Sequence, residues 1–214
     1  MEDNNTTKKA KKIGESYYEK RRFERLPWYA KLVIKKQEKT ISILLNKINV
    51  NSVLEIGCGY GRLTRILNST LQPQRYKAID LSEELISIAK EKINGVEFQC
   101  ISIQDLETKE KFDLVFCGVM LMMINEKEIK TVLHKLISLS SKKIITIDPI
   151  EMFVKNSDYV FIHDYEKIFR ELGIFKKIEI HPVPIPILSK IVSCYAKLRG
   201  RVPIAKQAIF EIDV

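Results

Sequence analysis

The stretch VLEIGCGYGRLT, Val53 to Thr64, sets three glycines at alternate positions, Gly57, Gly59 and Gly61, after an apolar β-branched run and before a helical periodicity. A glycine-rich turn in that context lets a ligand approach the backbone closely. Asp80 follows 19 residues after Gly61, at the end of the next apolar run. A carboxylate there can accept both hydroxyl hydrogens of a ribose, so loop and acid together point to an adenosine-containing ligand.

Two side chains separate the kinds of ligand. Arg62 stands where a dinucleotide fingerprint needs its third glycine for close packing of helix on strand. Glu55 lies two residues before the first glycine, where its charge would repel a pyrophosphate but attract the ammonium and sulfonium of S-adenosylmethionine. Charge therefore favours the sulfonium cofactor.

These residues need a frame to hold them. From residue 52 the chain alternates short β-branched runs with helical patterns, which predicts strands near Val53 to Ile56, Tyr76 to Ile79, Val96 to Gln99, Leu114 to Phe116 and Lys143 to Ile147. Ile129, Val132, Leu133, Leu136 and Ile137 recur at helical spacing, as do Leu63, Ile66, Leu67 and Leu71. Such alternation means a doubly wound α/β fold, a parallel sheet covered on both faces. A helix from about Asp164 to Leu172, with Asp164 as N-cap and Gly173 at C′, precedes two late strands, Lys177 to Val183 and Gln207 to Val214. Ahead of the alternation, Glu15 to Arg25 and Trp28 to Ile48 read as two helices, the second with Leu32, Ile34, Ile41, Leu44 and Leu45 for an apolar stripe. The expected division is a basic tail and helical cap over 1–48 and a cofactor-binding domain over 49–214.

At this point the sequence resembles the class I S-adenosylmethionine-dependent methyltransferases, from about Val53 through Ile147. Glu55, Gly57, Gly59 and Gly61 match the family's E-x-G-x-G-x-G motif, AIDLSEELISIAK its second motif, VEFQCISIQDLE the third region, and FDLVFCGVMLMMI the fourth strand and following loop. The resemblance implies a Rossmann-like seven-stranded sheet of order 3-2-1-4-5-7-6 with an antiparallel last strand, beneath an N-terminal helical cap. It implies that the glycines and Cys58 touch the methionine portion of S-adenosylmethionine, with Glu55 near the ammonium. It further implies that Asp80 binds the ribose and Leu81 packs on adenine, with Ser102, Ile103 and Cys117 completing the cofactor set. Many family members have an acid where Ser102 stands, and Asp105 is the nearby alternative acceptor.

The acceptor side is less marked. Met120, Met122 and Met123 fit either a soft wall beside the methyl group or core filling. Asp148 and Glu151, expected just past the fifth strand, are candidate substrate contacts, and His163 is the candidate general base. Tyr17, Tyr18 and Trp28 are candidates for closing the site from the cap, and the connection over 184–203 for a substrate lid. His134 and His181 read as structural or exposed. The expected reaction is methyl transfer to oxygen or nitrogen of a small molecule; an RNA or protein methyltransferase and a non-catalytic cofactor-binding partner subunit are the alternatives.

Composition and charge bound these readings. Of the net charge of +9, residues 1–40 carry +6, from 12 basic and 6 acidic side chains. That arm suits an anionic partner or, as plainly, a solvated helix face. The four cysteines, Cys58, Cys100, Cys117 and Cys194, have none of the close spacing that metal or redox motifs use and read as core residues. The longest apolar run, Leu114 to Ile124, has 11 residues, where a membrane span needs about 20. The first dozen residues carry no apolar run of a signal peptide, so the expected location is the cytoplasm.

Overall fold

The computed structural model describes residues 28–152, 161–173, 177–183 and 204–214. The Glu15 to Arg25 helix, Tyr17, Tyr18, Cys194 and the 184–203 connection lie outside the described residues, as does the side chain of Trp28. In chain order the elements are α1 (Trp28–Leu45), β1 (Ser52–Ile56), α2 (Arg62–Leu71), β2 (Arg75–Asp80), α3 (Glu83–Lys92), β3 (Glu97–Cys100) and β4 (Phe112–Gly118). They continue with a 3-10 turn (Leu121–Met123), α4 (Ile129–Leu139), β5 (Ser140–Met152), α5 (Tyr165–Leu172), β6 (Lys177–Val183) and β7 (Ile204–Asp213).

The seven strands form one sheet of order β3-β2-β1-β4-β5-β7-β6, with β7 antiparallel to both β5 and β6. This is the topology the resemblance implies. Its central strands are largely apolar because both faces are covered: Val53, Leu54, Leu114, Val115 and Phe116 are all completely buried. One face packs α4 and α5 through Val132, Leu133, Leu136, Tyr165 and Phe169. The other packs α1, α2 and α3 through Ile41, Leu45, Leu63, Leu67, Ile86 and Ala89. Local signals agree with these ends. Ser82 caps α3 by accepting from the Leu85 amide at 3.3 Å, with Glu83 and Glu84 in the first turn and Lys90 and Lys92 in the last. Asp164 caps α5 by accepting from the Lys167 amide, and Gly173 closes it at φ 64°.

Helix α1 ends at Leu45 rather than Ile48. Only Ile41, Leu44 and Leu45 of its predicted stripe are fully buried, with Leu32 and Ile34 half-buried. A polar chain completes its attachment. Arg62, the first residue of α2, donates to Gln37 Oε1 at 2.6 Å and pairs with Glu38 at 3.3 Å, while Gln37 Nε2 donates to Gln207 Oε1 on β7 at 3.2 Å. Gln37 and Gln207 are both buried, so each needs the other's hydrogen bond.

The strand β5 differs from expectation. It runs through Met152, so Asp148 and Glu151 lie inside a strand and not beyond it. The reason is β7, which pairs with β5 from Lys143–Asp213 to Met152–Ile204 and carries the ladder past Pro149 with register shifts on either side of Glu151. Of the cysteines expected in the core, Cys58 and Cys117 are buried, but Cys100, at the end of edge strand β3, is exposed. Among the described residues no helix is long and apolar enough to cross a membrane.

The buried amide chain makes a specific prediction. Gln37→Ala, which leaves the buried Gln207 without this partner and takes one of two acceptors from Arg62, should lower unfolding free energy by about 2 kcal/mol. Lys35→Ala, two residues earlier on the exposed face, should change it by less than about 0.5 kcal/mol. Urea titration checks both.

Candidate functional site

The loop between β1 and α2 folds back over the end of β2, with the amides of Gly57 and Cys58 donating to the Ile79 carbonyl at 2.8 and 3.1 Å. All three glycines have positive φ. A Cβ on Gly61 would lie 2.4 Å from Ile93 Cδ1 and 3.3 Å from Ala89 Cβ, so this glycine lets α2 and α3 close together. At Gly59 a Cβ would meet nothing within 4 Å. The outer face of the loop is open there, and at φ 55° it is backbone that a ligand would approach.

Asp80 borders that opening. Its Oδ2 accepts from the Gly59 amide at 2.8 Å and its Oδ1 from the Ser82 amide at 3.0 Å. Burial raises the carboxyl pKa, opposed by the amides of Ser82, Gly59 and Leu81. Each oxygen keeps a second lone pair, enough to accept one hydroxyl of a ribose. Leu81 is half-buried beside it, and Ser102 and Ile103 are buried after β3. Ser102 Oγ donates to Asp105 Oδ2 at 2.6 Å and accepts from the Asp105 amide at 3.0 Å. The exposed Asp105 thus supplies the acid of this region through Ser102. An open cradle at Gly59 flanked by a diol acceptor fits an adenosyl group.

Glu55 is buried beneath the loop, and its Oε2 accepts from Tyr76 Oη at 2.7 Å. Burial pushes its carboxyl up to about 7; the Tyr76 hydrogen bond, the nearby Thr64 hydroxyl and the Arg62 charge pull the other way. Tyr76 gave no sign of this role in the sequence. The parallel register, with Glu55 beside Ala78, places it two residues away on the same sheet face, and only that register reveals the pair. Cys58 is buried with its thiol pushed far up by desolvation. The Cys117 side chain is also fully buried, with Sγ 3.7 Å from the Ile56 carbonyl, so it sits in the sheet interior and not on the loop surface.

Beyond β4 the chain turns over the glycine loop. A Cβ on Gly57 would lie 2.8 Å from Met120 Cγ, so Met120 rests on the loop, while Leu121 and Met122 are buried. Asp148 is wholly buried; its Oδ1 accepts from the Met122 amide at 3.3 Å, and burial raises its pKa well above the carboxylate range. His163 is buried as well. Its Nε2 meets the Ile124 carbonyl at 2.9 Å, its ring lies edge-on to Tyr165, and burial lowers its pKa. The side chain of His163 thus braces the turn. Of Glu151 only the backbone is described, in register with Lys206.

A second group of charges sits away from the loop. Glu179, His181 and Glu211 bring ligand atoms within 4.8 Å of one another, beside a cavity of about 420 Å³ lined also by Leu44, Lys47 and Lys142. Glu211 pairs with Lys143 and Glu179 with Lys177, so lysines already balance both carboxylates. His134 lies exposed on α4.

Residues 53–142 match the family model described as a methyltransferase domain. A malonyl-[acyl-carrier protein] O-methyltransferase of Acetivibrio thermocellus is 32% identical over 105 residues, which are 46% of this chain and 36% of that protein. Its counterpart in Bacillus anthracis is 29% identical over 115 residues, 50% of this chain and 43% of that protein. The match thus spans less than half the length of these curated relatives. Among solved structures, magnesium protoporphyrin IX methyltransferase from Synechocystis PCC 6803 with bound SAH superposes with TM-score 0.70 at 16% identity, covering 95% of this chain and 99% of that one. The N-methyltransferase NodS from Bradyrhizobium japonicum WM9 with bound SAH gives 0.62 at 15% identity, covering 85% and 87%. At these identities the likeness is one of fold, and it spans enzymes named for different acceptors.

The buried acid under the loop predicts a pH dependence. A carboxyl raised from 4.5 to about 7 in the folded state opposes folding once it must ionise, so its penalty is absent below about pH 4.5 and complete above about pH 7. Wild type should lose up to roughly 3 kcal/mol across that window relative to Glu55→Gln. Denaturant melts of both proteins between pH 4.5 and 8.5 check it; parallel curves would contradict it.

Proposed function

We propose that this chain, whose residues 53–142 match a methyltransferase-domain model, is a class I S-adenosylmethionine-dependent methyltransferase that transfers the methyl group to a carboxylate oxygen of a small acyl acceptor. The observation that carries the cofactor half is the open face of the glycine loop at Gly59, bonded to the Asp80 carboxylate at the end of β2. Asp80 holds the ribose hydroxyls, with Leu81 and Ile103 against the adenine and Asp105, reached through Ser102, accepting from its amino group. The backbone of Gly57 to Gly61 lies along the methionine portion. Glu55 below attracts its ammonium, which in turn favours the ionised carboxylate over the neutral acid.

The bound sulfonium supplies an electrophilic methyl carbon for in-line displacement. What the protein must add is alignment and exclusion of water. Met120, resting on Gly57, forms a polarisable wall at the sheet's carboxyl edge. Two observations support a carboxylate acceptor. Asp148 is wholly buried with Oδ1 on the Met122 amide and the Nε2 of His163 is committed to the Ile124 carbonyl, an arrangement suited to a nucleophile that needs no proton removed. The relatives from Acetivibrio thermocellus and Bacillus anthracis are named for O-methylation of a malonyl group on a carrier protein. The exposed lysines of α1, Lys31, Lys35, Lys36 and Lys39, give an acceptor carboxylate a positive approach.

The reading is tested with S-adenosylmethionine labelled in its methyl group and a panel of short dicarboxylates, free and as carrier thioesters. The expected product is a methyl ester, which mild alkali hydrolyses to release volatile labelled methanol. Label that enters an acceptor but survives alkali would identify an N-methyl, C-methyl or methyl ether product and overturn the carboxylate assignment.

A further inference from the structure

The turn that carries Met120 is backbone under strain. Val119 has φ 62°, left-handed geometry that a β-branched residue rarely adopts. Its amide donates to the Ile147 carbonyl at 2.7 Å, which draws the turn down onto β5. Met123 and Ile124 then close a 3-10 turn on Met120 and Leu121 at 2.9 and 3.0 Å. The turn is gripped from two sides. From β5, Asp148 accepts from the Met122 amide. From the segment before α5, the Phe161 amide donates to the Met122 carbonyl at 2.8 Å, and His163 Nε2 meets the Ile124 carbonyl at 2.9 Å.

Neither gripping side chain is free to swing. Asp148 is faced by the hydroxyls of Thr146 and Tyr165. The His163 ring packs 5.5 Å from Tyr165, which packs 5.2 Å from Phe210 on β7. The strained residue, its neighbour on the glycine loop and the two braces therefore form one connected unit running from β7 to Gly57.

We infer that Asp148 and His163 are positioning residues, which hold Val119 in its left-handed conformation so that Met120 stays seated on the glycine loop and completes the pocket for the methyl donor. This rests on the methyl-donor reading given above. Without either brace, Val119 relaxes to negative φ and Met120 lifts from Gly57. A glycine at 119 adopts the left-handed conformation without strain, so it makes the braces dispensable.

The experiment is calorimetric titration of the full chain with S-adenosylhomocysteine, with a thermal melt of each variant as a folding check. Asp148→Ala and His163→Ala should each weaken binding about tenfold, and Asp148→Asn, which keeps an oxygen for the Met122 amide, should restore most of the loss. Adding Val119→Gly to either alanine variant should also restore affinity, although it returns none of the deleted contacts. A merely structural role would give lower melting temperature and no such rescue. If Asp148→Ala gives no cooperative melt, the His163→Ala and Val119→Gly pair carries the test. Unchanged affinity in the alanine variants, or a loss that Val119→Gly leaves as it was, would overturn the inference alone. Failure of wild type to bind would overturn the methyl-donor reading and this inference with it.

Discussion

The hydrogen bond from the Gly59 amide to the Asp80 carboxylate ties the loop after β1 to the end of β2, and the geometry of the site depends on it. It fixes the glycine turn against a carboxylate that keeps lone pairs for a further donor, and it does so because β1 and β2 are adjacent, parallel and in register. The Ile79 carbonyl, accepting from both Gly57 and Cys58, holds the same junction from below. Around it the fold supplies weight: α2 and α3 close through Gly61, and α1 is pinned to the first residue of α2 by Gln37 and Glu38.

Electrostatics at this junction is poised rather than neutralised. Glu55, beneath the loop, gains a hydrogen bond from Tyr76 but remains too deeply buried to hold its charge comfortably, and Asp80 shows the same tendency in milder form. Two acids whose ionised forms are destabilised by burial form a site that a cationic ligand would relieve, since opposite charge nearby favours the charged state. Binding of such a ligand and ionisation of the loop acid are thus coupled. The second charged group, Glu179, His181 and Glu211, has its balance already, from Lys143 and Lys177.

Much of this was legible in the chain because local rules govern it. Glycines at 57, 59 and 61 between a β-branched run and a helical period, with Asp80 closing the next run, describe a turn that few other folds could use. The caps at Ser82, Asp164 and Gly173 are local as well. What escaped reading is set by distant pairing. Asp148 looked like a loop acid beside Pro149, and only the antiparallel ladder with β7 makes it a buried strand residue. Tyr76 becomes the partner of Glu55 through strand register, and Cys100 is exposed because β3 is an edge. His163, the candidate base, is buried with its ring edge-on to Tyr165 and its Nε2 at the Ile124 carbonyl, surroundings that the sequence does not show.

The most direct test of the central claim, that the Gly59–Asp80 junction is an adenosyl site for a sulfonium donor, is calorimetric titration of wild type and Asp80→Ala with S-adenosylmethionine and, in parallel, with NAD. The account predicts binding of S-adenosylmethionine by wild type, no binding of NAD, and a loss of about tenfold or more in the folded variant, as expected for removing hydrogen bonds to a charged acceptor. Equal affinity for S-adenosylmethionine in both proteins, or preference for NAD, would contradict it.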